Sequence, residues 1–418
     1  MHIVLYEDDG WKNLRPLTLT RPVWELRCGI TTLVEKIQSI IPGSKISFIC
    51  RDYLAPLVSS KYPESRVNEF KHSDTLFLNG RVIWDKREFF EGFIGNSLIY
   101  RGGKFAGGFV KGALAVEGAD WQAGKTMDTL NELLVFKERM CGLFRRDIEA
   151  EIIEYPWDMV ELTPGQIFRD LKNMGGLREI KAQKYKNQGV HVVSGHGVFT
   201  DGKVSLAPGV VLDSSEGPIF LGDGVKIMPN AVIQGPASIG AGSLVKIGAK
   251  IYAGTSAGPV CKLGGEIGET VIQGYSNKQH EGFLGHAALG EWCNIGAGTE
   301  NSDLKNNYTP VKVQIGKKRV NSGKIFVGLF MGDHSKTGIN TTFNTGTVAG
   351  VGSMAFGAGF QPRYIPSFKW SDGSKLIPAD FDSTLKTAKT VMVRRDIEMT
   401  DEEVSVLRRV YDDSMSGD

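Results

Sequence analysis

The sequence lacks most features that mark a secreted, membrane-spanning or nucleic-acid-binding protein. Its five cysteines are scattered and form no CxxC pair, which argues for reduced thiols and against a zinc site. No apolar run approaches the ~18 residues of a membrane span, and the opening HIVLY predicts a strand rather than a targeting leader. The formal net charge is only +2, so nucleic acid is not an expected partner. We therefore expect a cytoplasmic protein with no membrane partner.

Glycine, by contrast, is abundant. Its 52 residues exceed the usual share of about 7%, and the excess gathers in a repetitive region that includes residues 221–268. Along this stretch one position in every six is apolar and mostly branched, and the position four residues later is mostly small. The apolar column consists of Leu221, Ile227, Ile233, Ile239, Val245, Ile251, Ala257 and Leu263. The small column consists of Val225, Ala231, Ala237, Ser243, Ala249, Thr255, Cys261 and Ile267.

A period of six fits neither an amphipathic helix, which repeats every 3.6 residues, nor a half-buried strand, which repeats every 2. It is typical of the hexapeptide repeat of a parallel β-helix, in which each hexad is one flat side of a triangular coil. The branched residues fill the interior, and glycine or asparagine supplies the turn conformations that a β-carbon resists. A single coil cannot bury its own apolar column, so the coils are stable only as a stack.

The period of six resumes beyond this stretch. It returns at Phe283 and again at Val327, and Val198 begins a weaker first coil. Two interruptions, at residues 269–282 and 300–324, are longer than turns. Long excursions from a rigid scaffold are usually functional, so we expect both to contribute to a site.

The N-terminal part has the pattern of an α/β domain. Short β-rich runs at residues 3–6, 45–50 and 75–78 are separated by helical stretches such as 31–41. This alternation predicts a parallel sheet with crossover helices.

Further helices are predicted at residues 128–150, with Asp128 as a cap, and at 164–173, followed by a connector over 174–195. A capping box at residues 400–403 predicts a terminal helix. We therefore divide the chain into an α/β domain with a helical connector, a β-helix and a helical tail, at residues 1–190, 191–380 and 381–418.

The opening LYEDDGWKNLRPLTLTRPVWEL resembles the start of the sugar-1-phosphate nucleotidyltransferases. Residues 14–18 match the second half of their L-A-A-G-x-G-T-R-x-x-P-L-T motif, and Thr20-Arg21-Pro22 stands where a lysine tripeptide falls. The resemblance implies that Arg15 and Arg21 bind the phosphates of a nucleotide, and that a nucleoside triphosphate is a possible substrate.

The same motif departs from the family at residues that matter for chemistry. Glu7 and Asp8 replace its glycine, and Arg81 stands where an aspartate would hold Mg²⁺. Asp8, Asp9 and Asp158 are the remaining candidates for a metal ligand. Magnesium is therefore expected only if this domain is active, and a domain kept as a platform or for binding is the alternative.

Residues 266–308 resemble the acetyltransferase half of the bifunctional N-acetylglucosamine-1-phosphate uridyltransferase/glucosamine-1-phosphate acetyltransferase family. The match rests on His280, Leu284-Gly285 and the run 294–299, and it is closest to a variant branch with SNKQHxGFLGH and GDHSKTG segments. The resemblance implies a left-handed β-helix that transfers acetyl from acetyl-CoA to an amino-sugar 1-phosphate, with His280 as the base. It further implies substrate contacts from Lys278, Asn294, Asp303 and Lys305. It places acetyl-CoA against Ala297, Leu329 and Thr347.

A histidine suits this reaction because an ammonium is no nucleophile and must first lose a proton. The unperturbed imidazole pKa of about 6.5 lets it accept that proton at neutral pH. Phe283 and Asp303 replace a tyrosine and an asparagine of the family, Gly268 replaces a substrate lysine, and Leu329 replaces a cofactor serine. A different amino sugar as acceptor therefore stays open.

Three other interpretations remain open at this point. In the first, the protein is a sugar-1-phosphate nucleotidyltransferase whose N-terminal domain is active and whose β-helix serves only for oligomerisation. In the second, it is a sugar-nucleotide sensor in which neither domain is catalytic. His280, His286 and His334 would bind a metal in a β-helix carbonic anhydrase, which we consider the weakest alternative, so no metal ligands are assigned.

Assembly is predicted from the outward positions of the repeat. Small or apolar residues at Val232, Val260, Ala288 and Val348 predict that neighbouring β-helices pack together, and the resemblance to the acetyltransferases implies a homotrimer with sites between chains. In this trimer His280 of one chain would face residues 332–338 of the next.

Overall fold

A six-stranded mixed sheet forms the N-terminal domain in the computed structural model, which describes residues 2–69, 74–93, 96–111 and 144–416. The strand order is β2-β1-β3-β5-β4-β6. The central β1 is parallel to β2 and β3, whereas β5 is antiparallel to β3 and β4. The three predicted strands are therefore present, but the sheet is mixed rather than wholly parallel. The six strands are β1 (His2–Tyr6), β2 (Lys45–Ile49), β3 (Thr75–Asn79), β4 (Ser97–Arg101), β5 (Lys104–Val110) and β6 (Phe144–Asp147).

Helices α1 (Leu33–Ile40), α2 (Ala55–Lys61) and α3 (Pro156–Asn173) surround this sheet. Helix α3 begins at Pro156, eight residues before its predicted start, because proline is favoured in the first turn of a helix. The helix predicted at 128–150 falls mostly outside the described residues, and its described end is the strand Phe144–Asp147. The described part of the domain also contains short 3-10 helices at Asp9–Leu14, Val23–Glu25, Asp52–Leu54 and Arg87–Phe90.

The C-terminal half is a parallel β-helix with three faces, which confirms the predicted fold class. The first face is a ten-stranded sheet made of Arg178–Glu179, Val198–Thr200, Ile219–Leu221, Ala237–Ile239, Thr255–Ala257, Val271–Gly274, Ala288–Glu291, Phe330–Met331, Val348–Ala349 and Tyr364–Ile365. All its strands are parallel except the first, which pairs antiparallel with the second. The predicted connector at 174–195 therefore already contributes a strand, and it also contains the short helix α4 (Ala182–Tyr185).

The second face runs through two sheets that are joined at Asn294, which bridges Asn277 to Lys336. It consists of Ser205–Leu206, Lys226–Ile227, Leu244–Val245, Lys262–Leu263, Asn277–Lys278, Lys336–Thr337, Met354–Ala355, Lys369–Ser371 and Leu376–Pro378. The third face consists of His191–Val193, Val211–Asp213, Val232–Gln234, Lys250–Ile251, Glu266–Gly268, Phe283–Gly285, Glu300–Asn301 and Thr342–Phe343.

Both columns of the six-residue repeat lie inside the coils. Every member, from Leu221 to Ile267, is at most 2% exposed. Equivalent positions on the first face are 18 residues apart, as Ile239 and Ala257 are, because three hexads complete one coil.

The two interruptions of the repeat have different structures. The first is a shortened coil, since Ala257 pairs with Ile272 only 15 residues later, and residues 269–282 contain two ordinary strands. Its prediction as an excursion is wrong. The second is a true insertion, which forms an antiparallel hairpin of Lys312–Ile315 and Lys318–Asn321.

The N-terminal domain packs on the first face of the β-helix. Outward-facing Val271, Ala288, Phe330 and Val348 belong to the same apolar core as the N-terminal sheet and α3. Ala288 and Val348 are therefore buried by their own chain, so their apolar character does not point to a neighbouring chain as predicted.

A buried ion pair joins the two domains. The Arg21 guanidinium donates to the Asp333 carboxylate and lies 3.3 Å from Glu291, and the side chains of Arg21 and Asp333 are each 7% exposed. Thr20 Oγ1 and the Glu291 backbone N–H also donate to Asp333, at 2.6 and 2.8 Å.

The chain ends in helices α5 (Phe381–Val393) and α6 (Asp401–Ser416). The predicted capping box is present, because Glu403 N donates to Thr400 Oγ1 and Thr400 N donates to the Glu403 carboxylate. Buried Leu407 and Val410 of α6 pack with Val351 and Phe368 of the β-helix. Among the described residues, no helix has the length and apolar character needed to span a bilayer.

We expect Arg21→Met to lower the free energy of unfolding by roughly 3–5 kcal/mol, because it leaves the buried Asp333 carboxylate without its counter-ion. Urea denaturation measures the change. Lys12→Met is the control, since it breaks an exposed pair with Asp9 and should cost below about 1 kcal/mol. Equal losses in the two variants would show that the Arg21 pair does not hold the domains together.

Candidate functional sites

An ion pair fills the place where the nucleotidyltransferase motif would hold a metal. Arg81 Nε donates to Asp8 Oδ1 at 2.6 Å, and Asn79 Nδ2 donates to Asp8 Oδ2 at 2.8 Å. Burial acts to raise the pKa of Asp8, but the hydrogen bonds and charge of Arg81 outweigh it and lower that pKa. The guanidinium also covers Gly10, where an added Cβ would lie 2.2 Å from Arg81 Cζ. The carboxylate of Asp8 is therefore neutralised from within the chain.

The other two candidate metal ligands are also engaged elsewhere. Asp9 pairs with Lys12 on the surface, at 2.8 Å. Asp158 accepts the backbone N–H groups of Glu154 and Tyr155, both at 2.9 Å, and so caps the start of α3. In the part of the chain that the structure describes, no three His, Cys, Asp or Glu side chains converge on a possible metal site. These residues do not fit Mg²⁺.

The two arginines predicted to bind nucleotide phosphates have different surroundings. Arg21 is held in the interdomain ion pair, which corrects its assignment as a phosphate ligand. The guanidinium of Arg15 lies 4.9 Å from the ring of Trp11 and close to Gly316 in the inserted hairpin. Arg15 therefore lies between the N-terminal loop and the β-helix insertion.

Three ionisable residues stack at the corner between the third and first faces. Glu269, His286 and Asp303 follow successive strands of the third face, and their numbers differ by 17 each time. His286 Nδ1 is 2.8 Å from Asp303 Oδ2 and 4.0 Å from Glu269 Oε2, and its ring stacks on Phe326 at 4.9 Å. Burial raises the pKa of Glu269. We call these three residues the corner stack.

The corner stack was missed by reasoning from the sequence. The sequence presents His286 only as a rival metal ligand and Asp303 as a substrate contact. The signal that would have found it is the spacing of 17, which equals the coil length in this part of the β-helix, where Gly268 pairs with Gly285.

His280, the predicted base, lies in an exposed bend between the second and third faces. Within the described part of the chain its ring makes no hydrogen bond, while its carbonyl oxygen accepts from Lys278 Nζ at 2.5 Å. Lys278 occupies the inward position next to Leu263 and is 1% exposed. Burial lowers the pKa of Lys278 to about 8. Its assignment as a substrate contact is therefore corrected, because its ammonium group points into the coil and bonds to the backbone carbonyls of Gly264 and His280.

The remaining predicted substrate contacts lie on different parts of the β-helix. Asn294 accepts from Asn277 Nδ2 at 3.2 Å and lines a cavity of about 340 Å³ on the second face. Lys305 donates to the carbonyl of Pro310 at 2.5 Å and so is held by its own loop. Asp303 belongs to the corner stack. The structure thus places Asn294 and Asp303 on different sides of the coil, and the ammonium group of Lys278 is turned inward, although Lys278 directly follows the strand partner of Asn294.

The predicted acetyl-CoA contacts are mostly buried. Leu329 belongs to the apolar interior of the coils, and Thr347 is fully buried with its hydroxyl donating to the Asn344 carbonyl at 2.8 Å. Both assignments are corrected, because neither side chain reaches a surface of this chain. Ala297 is half-buried in a turn, where its carbonyl accepts from Asn340 N at 2.7 Å.

The three imidazoles of the carbonic anhydrase alternative lie at three different corners of the coil. His280 follows a strand of the second face, His286 one of the third and His334 one of the first. His334 is buried, which lowers its pKa to about 3. Within one chain these histidines do not converge.

Comparison with known proteins identifies the N-terminal domain. Residues 3–178 match the family model described as sugar nucleotidyl transferase. Related curated proteins carry both activities in their names. The chain is 32% identical over 142 residues to a bifunctional sugar-1-phosphate nucleotidylyltransferase/acetyltransferase of Sulfurisphaera tokodaii, which is 31% of this chain and 35% of the relative. The chain is thus similar, over part of its length, to bifunctional sugar-1-phosphate nucleotidylyltransferase/acetyltransferases.

Two further curated proteins are similar to part of the chain. The bifunctional protein GlmU of Methanocaldococcus jannaschii is 36% identical over 85 residues, which is 20% of this chain and 21% of the relative. The bifunctional protein GlmU of Thermus thermophilus is 31% identical over 165 residues, which is 34% of this chain and 36% of the relative. Each match spans about a third or less of these relatives' own length, so the activity of this chain is left to be proposed.

We expect no Mg²⁺-dependent nucleotidyl transfer, because Arg81 occupies the metal position and neutralises Asp8. Calorimetry should detect no Mg²⁺ binding, and pyrophosphate release should stay below the ordinary range of about 1–10³ s⁻¹ with any nucleoside triphosphate. Arg81→Ala frees Asp8 and is the variant in which weak Mg²⁺ binding would first appear. Turnover by the wild-type chain within that range would contradict the inference and make Asp8, Asp9 and Asp158 the ligands to test.

Proposed function

We propose that the β-helix transfers an acetyl group from acetyl-CoA to an amino-sugar 1-phosphate. The proposal rests on the similarity to bifunctional proteins named as acetyltransferases and on the residues that the chain retains between His280 and Thr299. The observation that carries it is the hydrogen bond between His286 and Asp303, which puts an oriented imidazole beside the segment that resembles the acetyltransferases. In this proposal the N-terminal domain is a platform for the β-helix.

The reaction requires a base and leaves a thiol. The imidazole takes a proton from the sugar ammonium, and the free amine then attacks the thioester carbonyl carbon. A C–N bond forms, the C–S bond breaks, and the thiolate of coenzyme A leaves with a proton. Charge develops on the carbonyl oxygen before the thiolate leaves, and in this proposal a backbone N–H of the glycine-flanked turn at Ala297 stabilises that charge.

Two imidazoles are candidates for the base. The resemblance to the acetyltransferases favours His280, which is exposed and so accessible to a substrate. The geometry favours His286, because a carboxylate at Nδ1 fixes the tautomer that leaves Nε2 free to accept a proton. The phenyl ring of Phe326 stacks on His286 and further limits its orientation.

Substitution of each histidine separates these candidates. Loss of the base should lower kcat for acetyl transfer by about 10²–10⁴-fold, so we expect this loss in His280→Ala and a smaller loss in His286→Ala if the resemblance assigns the base correctly. The reverse order would assign the base to His286. His191→Ala is the matched control, because His191 is an exposed imidazole on an early coil of the same β-helix.

Asp303→Asn extends this test to the corner stack. If His286 is the base, Asp303→Asn and His286→Ala should not add in the double variant, since both remove one functional unit. Additive losses would show that Asp303 acts on the substrate rather than through His286. Wild-type protein with no transfer to any amino-sugar phosphate would contradict the proposal as a whole, and sugar-nucleotide binding without turnover would then favour a sensor.

We also propose that the protein is a homotrimer with sites between chains. The first face is covered by the N-terminal domain, whereas Val232 on the third face and Val260 at a corner are half-buried in the single chain. Three β-helices packed side by side would bury well over about 2,000 Å² of accessible surface in total, as obligate assemblies do.

Sedimentation should therefore give a trimer whose dissociation abolishes activity. Inactive His280→Ala and Lys336→Ala chains should partly restore activity when they are refolded together, because each would supply what the other lacks at a shared site. A fully active monomer would contradict the assembly. A verified mixed trimer without rescue would place each site within one chain.

A further inference from the structure

A basic cavity lies on the second face of the β-helix, where the C-terminal end of α5 covers it. Its volume is about 340 Å³, which is within the range of small-molecule pockets. Four cationic side chains line it: Lys262, Lys336, Arg394 and Arg395. We call these residues the cationic cluster.

Strand pairing and a helix end place the cationic cluster. Lys262 pairs with Asn277, Asn277 with Asn294, and Asn294 with Lys336, so these four outward-facing side chains form a ladder on successive coils. Neighbouring strands are about 4.8 Å apart, so the two lysines lie at opposite ends of the ladder, about 14 Å apart along the face. Arg394 and Arg395 come directly after α5, and Arg395 Nη2 donates to Asn277 Oδ1 at 2.7 Å. The ladder is therefore fastened to the C-terminal segment.

The cationic cluster has no counter-ion among the described residues. No carboxylate lines its cavity, and none of the four cations forms an ion pair in the described ranges. Lys262, Lys336 and Arg395 are half-buried and Arg394 is exposed. Several buried cations elsewhere in the chain are instead paired with carboxylates, as Lys36 is with Asp170 and Arg51 with Glu7, whereas buried Lys278 bonds to backbone carbonyls.

The positive charges around Lys262 repel one another. Burial lowers the pKa of Lys262, and the charges of Arg395, Lys246 and Arg394 lower it further. Burial likewise lowers the pKa of Lys336. Such a cluster costs stability unless an anion enters it.

The walls of the cavity add polar and aromatic groups. The side-chain amides of Asn277 and Asn294 lie between the lysines. Tyr275 and Trp292 also line the cavity, and their rings stack on each other at 4.4 Å with an angle of 16°. Aromatic side chains beside several cationic side chains suit a ligand that has a flat ring and more than one phosphate.

We propose that this cavity binds a nucleotide through two phosphate groups, with the cationic cluster as the phosphate site and Tyr275 and Trp292 beside the base. Two sources share this chemistry, namely the adenosine 3′,5′-bisphosphate end of coenzyme A and a nucleoside diphosphate. Binding at this site does not depend on the proposed acetyl transfer.

Calorimetry with adenosine 3′,5′-bisphosphate, uridine diphosphate and inorganic pyrophosphate tests the proposal without any turnover. We expect the wild-type chain to bind at least one nucleotide, and the double variant Lys262→Gln/Lys336→Gln to bind it about 100-fold more weakly, since two charge-assisted hydrogen bonds are lost. Lys226→Gln is the matched control, because Lys226 is an exposed lysine on the same face two coils away, and it should bind as the wild type does.

The stability of the variants separates binding from a structural role. Because neutral side chains relieve repulsion, the double variant should unfold at the same temperature as the wild type or at a higher one. A lower unfolding temperature would indicate that the lysines hold the fold together and would overturn the phosphate assignment. Equal nucleotide affinity in the wild type and the double variant would overturn it too, as would a wild type that binds none of the three probes at millimolar concentration.

The three probes also identify the ligand. Tighter binding of the bisphosphate assigns the coenzyme A end, and tighter binding of the diphosphate assigns a nucleoside diphosphate. Pyrophosphate that binds as tightly as both nucleotides would retain the phosphate site and overturn the role of Tyr275 and Trp292. Nucleotide binding without acetyl transfer would support this inference while contradicting the proposed function.

Discussion

Backbone pairing between successive coils is the interaction on which the rest of this structure depends. Each coil donates its N–H groups to the next, so a side chain's neighbours are set by coil length rather than by proximity in sequence. A coil of 17 residues places Glu269, His286 and Asp303 above one another at a corner. The same rule places Lys262 and Lys336, which are far apart in the chain, on one face. Both candidate sites of the β-helix are consequences of this stacking.

The regular part of the β-helix could be predicted because burial imposes the period of six directly on the sequence. All members of the column from Leu221 to Leu263 are interior, as a solvent-excluded column requires. The prediction fails where coils change length, since a coil of 15 residues between Ala257 and Ile272 shifts the period without ending the β-helix. Because of that shift, Lys278 pairs with Leu263 and takes the same inward position. A lysine would not be predicted to be interior from its residue type. The position of a short coil can be found only from the strand pairing in the structure.

The N-terminal domain could be predicted only where local sequence decides the structure. Its first three strands and the helix predicted at residues 31–41 follow from short local patterns, and the departure at Arg81 could be seen in the sequence. The partner of Arg81 could not, because Asp8 is brought to it by the sheet, in which β1 lies beside β3. The partner of Arg21 could not be predicted either, since its counter-ion Asp333 is 312 residues away in the chain and lies in the other domain. A motif gives the type of a charged residue, whereas the fold decides whether that charge is free.

The treatment of buried cations therefore distinguishes structure from function in this chain. Arg21, Arg81 and Lys36 each face a carboxylate of their own chain, so their charge is used in holding elements together. Lys262 and Lys336 are half-buried and line one cavity with Arg394 and Arg395, and none of the four has a carboxylate partner among the described residues. Such an arrangement of like charges works against stability unless an anion binds there. The Asp8 carboxylate near the nucleotidyltransferase motif is held in an ion pair with Arg81, whereas the cations on the second face of the β-helix are available to a ligand. This contrast is the reason for proposing the chemistry of the chain on the β-helix rather than at the motif that is easier to recognise.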